Sequence, residues 1–400
     1  LRCRPESAPD SPAWRGSSTT VQRALSLIRE GALNEGNLTA LAGRLGIGER
    51  YLRKLFQREV GVSPGAIALN QRLLFAKKLL AETEMSMTDV AFAAGFGSVR
   101  RFNSAVRTQF RLTPGELRRR SGKAGPDTGI LLELQYRPPY DWEGVLGFFR
   151  RHAVEGVESV EGNSYARTVD LRGDLTRIRV SPRTDRNALQ LELELADPGK
   201  LMPVVANVRR MFDLDANPAV IAEALGRDPV LSPLLREYPG TRAPGSWSLY
   251  ESSVRAIVGQ QVSIAAARGV CARLAAAASP DCAQRQFPPA QALAGLDDSH
   301  FPMPGRRRES LRELARRSRD AATPLDLQQL GEIPGVGPWT VGMVAMRGAA
   351  DPDILPHTDL GLIRAWESLP GATGKLKDHA AAWSPWRSYA ANLLWRSLAL

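Results

Sequence analysis

The run Leu330–Arg347, LGEIPGVGPWTVGMVAMR, constrains this chain more than any other stretch. A helical pattern stops near Gly331, a Pro-Gly-Val-Gly turn follows, and Pro338 stands at the first position of a new helix, where its missing N–H costs nothing. Gly335 and Gly337 leave the backbone bare, so the segment Pro334, Gly335, Val336 and Gly337 can lay amides on a phosphate at a helix N-terminus. Such a contact grips a nucleic-acid backbone and reads no sequence. The carbonyls of Gly331, Ile333 and Gly335 form a candidate set for a monovalent cation. An aspartate follows downstream, in His357-Thr358-Asp359-Leu360.

The charge points to the same class of partner, from the other end of the chain. The 400 residues carry a net charge of +11. Residues 1–125 hold 21 Lys and Arg against 10 Asp and Glu, whereas residues 126–400 hold 32 of each. A compact basic segment implies a polyanion, most often nucleic acid. The length calls for several domains. No apolar run approaches the roughly 18 residues of a membrane span, so no membrane partner is expected. Three cysteines make no disulfide framework, and a reducing cytoplasm is the default. The four histidines show no metal spacing. The chain opens on Leu1 rather than Met and reads as part of a longer product.

Periodicity divides the chain. Residues 1–20 read as a polar tail. Residues 21–122 are helical, and 121–129 (SGKAGPDTG) have linker composition. Within 128–200 the segments 130–136, 165–171, 176–181 and 188–196 alternate apolar and polar residues and read as strands, with one helix at Trp142–His152. Residues 201–400 return to helices. The expected fold class is mainly α with an α+β subdomain between two helical parts.

The basic segment contains a repeat. Leu38–Phe56 and Met87–Val106 each place a short apolar helix, a turn glycine (Gly46, Gly95) and a basic helix in succession. The turn glycines lie 49 residues apart, and Ser63-Pro64-Gly65 and Thr113-Pro114-Gly115 trail them. Glycine supplies the positive φ that folds one helix onto the next. The second helices present Arg50, Arg53 and Lys54 in one copy and Arg100, Arg101, Asn103 and Arg107 in the other. Arg and Asn fork onto base edges in the major groove, and Lys holds phosphate. This segment resembles the AraC-type DNA-binding domain of bacterial transcription activators. The resemblance implies binding to promoter DNA, with RNA polymerase as a candidate partner. Residues 1–14 resemble the end of the zinc-bearing methyl-acceptor domain of Ada-type regulators, in which Cys3 would match the last of four zinc ligands. Its partners are absent from this sequence and a lone thiolate does not hold structural zinc, so no metal is expected there. An ordinary cysteine in a flexible tail is the plainer reading.

A hairpin followed by an aspartate resembles the helix-hairpin-helix DNA glycosylases. More narrowly, residues 130–400 resemble the DNA-3-methyladenine glycosylase II family. Pro138–Trp142 (PPYDW), Arg255–Ser263 (RAIVGQQVS), the hairpin and Trp383–Ala390 (WSPWRSYA) carry the likeness. It implies two helical subdomains flanking a cleft, with the bacterial cytoplasm and its nucleoid as the setting. It also implies hydrolysis of the N-glycosidic bond of alkylated purines, with Asp359 as the catalytic carboxylate and no cofactor. The chemistry is consistent with that. Bond cleavage builds oxocarbenium character on the deoxyribose, which a neighbouring carboxylate stabilises. An extruded cationic base stacks on aromatic rings. Trp339, Trp386 and Phe148 match the family's pocket aromatics, and Tyr140 is assigned to the same region, although Tyr140 and Trp142 read equally well as core. Met343 and Leu360 stand where the best-known members have tyrosines, which softens the pocket. Gln261 stands at the leucine wedge position. Trp339 occupies the place of the Schiff-base lysine of the glycosylase/lyases, so no strand nicking is expected. The Arg-rich stretch 306–319 reads either as a phosphate face or as a solvated face paired with Glu309 and Glu313. The alternative for the whole chain is a regulator whose C-terminal half only senses damaged DNA.

Overall fold

The structure, a computed structural model, describes residues 19–34, 36–121, 129–171, 173–280, 285–320 and 325–398. Cys3, the tail resemblance and most of the 121–129 linker lie outside these residues. The chain divides into two compact units, one of residues 1–133 and 191–207, the other of 134–190 and 208–400.

The first unit contains α1 (Thr19–Arg29), α2 (Leu38–Arg44), α3 (Glu49–Glu59), α4 (Pro64–Glu82), α5 (Met87–Ala93), α6 (Val99–Phe110) and α7 (Pro114–Ser121). Side-chain caps start α2, α4, α5 and α6: Asn37, Ser63, Ser86 and Ser98 each accept from an amide three residues on. Gly46 and Gly95 take φ of 69° and 77°, as the two helix-turn-helix corners require. One face of the second helix of each helix-turn-helix is buried, through Leu52, Leu55 and Phe56 on α3 and Phe102 and Val106 on α6. The opposite faces are exposed and basic.

In the α+β part, the described residues form a sheet of β1 (Ile130–Gln135), β2 (Glu158–Glu161), β3 (Ser164–Asp170), β4 (Leu175–Pro182) and β5 (Ala188–Leu193), in the order β1-β5-β4-β3-β2. The hairpin β2–β3 and its neighbour β4 pair antiparallel. On β4, Thr176, Ile178 and Val180 point inward and Arg177 and Arg179 outward. The helix α8 (Trp142–His152) has the bounds read from the sequence.

The rest of the second unit is helical, with two cores. One gathers Val254, Ile257, Leu274, Leu311, Leu330, Ile333 and Val344. The other gathers Leu231, Met346, Leu362, Trp366, Trp383, Trp386 and Leu393. The hairpin's second helix, Pro338–Gly348, contributes Val344 to one core and Met346 to the other. It therefore joins the two helical lobes that flank the cleft. Among the described residues no helix is long and apolar enough to cross a membrane.

Candidate functional site

The cleft has a volume of about 1650 Å³ and its wall includes Phe148, Gln261, Gly335, Val336, Gly337, Trp339, Met343, Asp359 and Leu360. Residues that the sequence scatters over more than two hundred positions thus meet at one surface.

The hairpin is built from its own sequence. Asp326 and Gln329 form a reciprocal capping box on Leu327–Gly331. The chain turns as the Ile333 amide donates to Leu330 and the Val336 amide to Ile333, while the side chains of Ile333 and Val336 bury themselves. Gly335 has φ of 86°, and a Cβ there would stand 2.5 Å from Ser310 Oγ. The amides of Gly335 and Gly337 meet no acceptor among the described residues. Of the carbonyls considered for a cation, Gly335 accepts from Gln260 at 3.0 Å and Ile333 from the Val336 amide, which leaves each one lone pair. Among the described residues no group of His, Cys, Asp and Glu could hold a metal ion.

Asp359 caps the helix Leu360–Ser368 and its Oδ1 accepts from the Leu362 amide at 3.0 Å. Two indoles complete its shell. Trp339 Nε1 donates to Oδ2 at 3.3 Å and Trp395 Nε1 donates to Oδ1 at 3.1 Å. Beside this carboxylate lies Arg347, which is 7% exposed. Burial pulls its pKa down to about 9, and the charge of Asp359 opposes that fall. The guanidinium donates to the Pro244 carbonyl and lies over the rings of Phe148 (4.5 Å) and Trp395 (5.2 Å). His152 also stacks on Phe148, with centroids 4.2 Å apart, and burial pulls its pKa down to about 3, so it is neutral. Phe148 therefore lines the cleft with its ring already engaged, and the lining aromatics that touch Asp359 are Trp339 and Trp395.

Gln261 lies in the turn between Leu249–Val258 and Ile264–Ala278, exposed and with φ of 55°. Its neighbour Gln260 donates to the Gly335 carbonyl and to Thr340 Oγ1 (2.9 Å), which locks this turn to the hairpin. Val262 and Ile264 beside it are also exposed.

Two expected pocket residues are elsewhere. Trp386 is buried edge-on against Tyr389 in a helical core and is not among the cleft's lining residues. Tyr140 also lies away from the lining. Its hydroxyl donates to the Phe212 carbonyl at 2.7 Å, Arg242 covers its ring, and burial raises the pKa of the hydroxyl well above that of an ordinary tyrosine. A tyrosine that must bury its hydroxyl packs where it finds an acceptor. Trp142 donates to Asn163 and stacks on Phe212. Nothing in the sequence marked Trp395 or Arg347.

On the other unit, Arg50, Arg53, Lys54, Arg100, Arg101, Asn103 and Arg107 are all exposed on α3 and α6. Arg53 is paired with Glu49 at 2.7 Å, and Glu49 also accepts from Thr39.

The sequence matches the family description "AlkA N-terminal domain" over residues 131–248 and "Helix-turn-helix domain" over 41–120. It is 39% identical to a probable bifunctional transcriptional activator/DNA repair enzyme AlkA of Mycobacterium tuberculosis, over 99% of this chain and 84% of that protein. It is 34% identical to the DNA-3-methyladenine glycosylase 2 of Escherichia coli, over 66% of this chain and 95% of that protein. The 3-methyladenine DNA glycosylase of Archaeoglobus fulgidus has the same fold over 66% of this chain and 97% of its own, with a TM-score of 0.57 at 20% identity. The chain therefore belongs to the family of bifunctional AlkA proteins, which join a helix-turn-helix DNA-binding domain to a DNA-3-methyladenine glycosylase.

Proposed function

We propose that the second unit is a monofunctional DNA glycosylase that hydrolyses the N-glycosidic bond of alkylated purines, and that the first unit binds promoter DNA. The observation that carries the reading is Asp359: a cleft-lining carboxylate held by two indole N–H groups beside a hairpin with bare amides. The hairpin and Gly337 grip a phosphate, the Gln261 turn enters the duplex, and the extruded nucleotide meets Trp339, Met343 and Leu360. Asp359 then faces the deoxyribose carbon as positive charge builds there, and water completes the hydrolysis. A cationic alkylated base leaves without strong acid help. Trp339 stands where a lyase would need an amine, so the expected product is an intact strand with an abasic site. The setting is the bacterial cytoplasm, with damaged duplex, promoter DNA and RNA polymerase as partners.

The test is release of free base from methylated duplex, followed by gel analysis before and after alkali. Base release with strand breaks only after alkali is the expected result. Breaks without alkali would overturn the monofunctional assignment. Tight binding with no release would favour the sensing alternative.

Trp395 is a positioning residue, acting through Asp359. Trp395→Phe keeps a ring over Arg347 and removes the N–H. A hydrogen bond to a charged group contributes about 1.5–3 kcal/mol, so kcat should fall at least roughly tenfold with KM unchanged. A rise in KM alone would refute the positioning role.

A further inference from the structure

The second unit carries little net charge, so which of its arginines are available matters more than how many it has. The helix Gly305–Asp320 is the densest run of them. Most are spent within the protein. Arg308 and Arg312 bind Asp298 at 3.2 and 2.6 Å, Arg316 and Arg317 bind Glu313, and Arg319 binds Asp320. This settles most of the stretch as an internally paired face. Arg306 and Arg307 differ. Both line the cleft, together with Gly335, Val336 and Gly337, and neither side chain has a partner among the described residues. Their placement relative to the hairpin is fixed. Ser310, one turn on, donates to the Pro334 carbonyl at 2.6 Å and packs against the bare Cα of Gly335.

We propose that Arg306 and Arg307 are a second phosphate-binding point of this unit, gripping the strand beside the phosphate held by the hairpin amides. The proposal rests on the glycosylase reading for its ligand, a duplex carrying a lesion. Guanidinium forks match phosphate oxygens, and two of them at a rigid wall orient the strand before the nucleotide leaves the stack. The pair supplies part of the salt-dependent grip that bulk charge cannot provide here.

The test uses the full chain, its Arg306→Ala/Arg307→Ala variant and Arg316→Ala as a paired-arginine control. Binding is measured to a duplex of about 12 base pairs containing a tetrahydrofuran abasic analogue, shorter than the two helical turns a double helix-turn-helix spans. Each phosphate contact contributes about 0.9 to the slope of log K against log salt. The double variant should lose about one to two units of slope and bind roughly tenfold more weakly at ~0.15 M salt. In single-turnover base release it should need correspondingly more duplex while its maximal rate is preserved. The control should match the parent in both assays. Unchanged slope and affinity in the double variant, or an equal loss in Arg316→Ala, would overturn the proposal. Absence of base release from the parent chain would defeat the glycosylase reading alone, since the slope is read without catalysis.

Discussion

Asp359→Asn should slow single-turnover base release from methylated duplex by roughly 10²–10³-fold, the cost of removing one preorganised electrostatic partner of the transition state. The substitution is the sharpest available because it changes so little else. Asn caps a helix about as well as Asp, so the helix Leu360–Ser368 keeps its start and its Leu362 amide keeps an acceptor. The loss is of charge, and of one acceptor. The amide nitrogen of Asn would face an indole N–H where a carboxylate oxygen now accepts. Arg347, already buried, would also lose its nearby anion. In the proposed mechanism both effects fall on the step in which positive charge develops, and binding to the ground-state duplex is assigned elsewhere, to the hairpin and the arginines. The expected signature is a fall in maximal rate with duplex affinity preserved. Equal release from Asp359→Asn and the parent chain would remove Asp359 from the catalytic role. Asp359→Ala is the poorer probe, since it also forfeits a cap worth about 1 kcal/mol.

Much of this site is legible in the sequence because its parts are local. The hairpin announces itself by Pro334, Gly335, Gly337 and Pro338 in five positions, and Asp359 follows it closely. The helix Trp142–His152 and the strands β3, β4 and β5 declare themselves by period. What the sequence hides is what only the folded chain brings together. Trp395 lies 36 residues from Asp359 on an Ala- and Leu-rich helix that looks like plain core. Arg347 reads as a helix-end cation, yet it is nearly fully buried against two aromatic rings. The strand β2, Glu158–Glu161, is too short and too acidic to show a strand pattern. Trp386 and Tyr140 show the reverse. Resemblance assigns Trp386 to the pocket and leaves Tyr140 open between pocket and core; the fold places Trp386 in a helical core and ties the Tyr140 hydroxyl to the Phe212 carbonyl, away from the cleft lining. The halves of the Arg-rich helix cannot be told apart by spacing either, because Asp298, which neutralises Arg308 and Arg312, lies outside it.

The same blindness covers the largest expected effect on stability. Glu158 on β2, Arg167 on β3, and Glu251 and Arg255 on the helix Leu249–Val258 form a buried set of two acids and two bases. Arg167 Nη2 donates to Glu251 at 2.7 Å, Arg255 Nη2 to Glu158 at 2.6 Å, and Tyr165 to Glu158 at 2.7 Å. Burial alone would lower the pKa of Arg167 and Arg255, but the two carboxylates outweigh it and raise both. The set is neutral as a whole, and each member depends on the rest. Glu251→Ala would leave two guanidiniums facing one carboxylate in the interior. Breaking a buried pair from one side costs about 3–5 kcal/mol, a large part of the roughly 5–15 kcal/mol that holds a domain folded. Seven of the eight tryptophans lie in the second unit, so intrinsic fluorescence in urea reports on its unfolding. The midpoint of that transition should fall steeply in Glu251→Ala. Arg167→Met/Glu251→Leu removes one acid and one base together and fills their space, leaving Arg255 and Glu158 balanced, so it should recover most of the loss. The helix that carries Glu251 leads directly into the Gln261 turn, so base release should fail in Glu251→Ala and return in the double variant. If the double variant were as unstable as the single one, the cost would lie in the shape of these side chains, not in uncompensated buried charge.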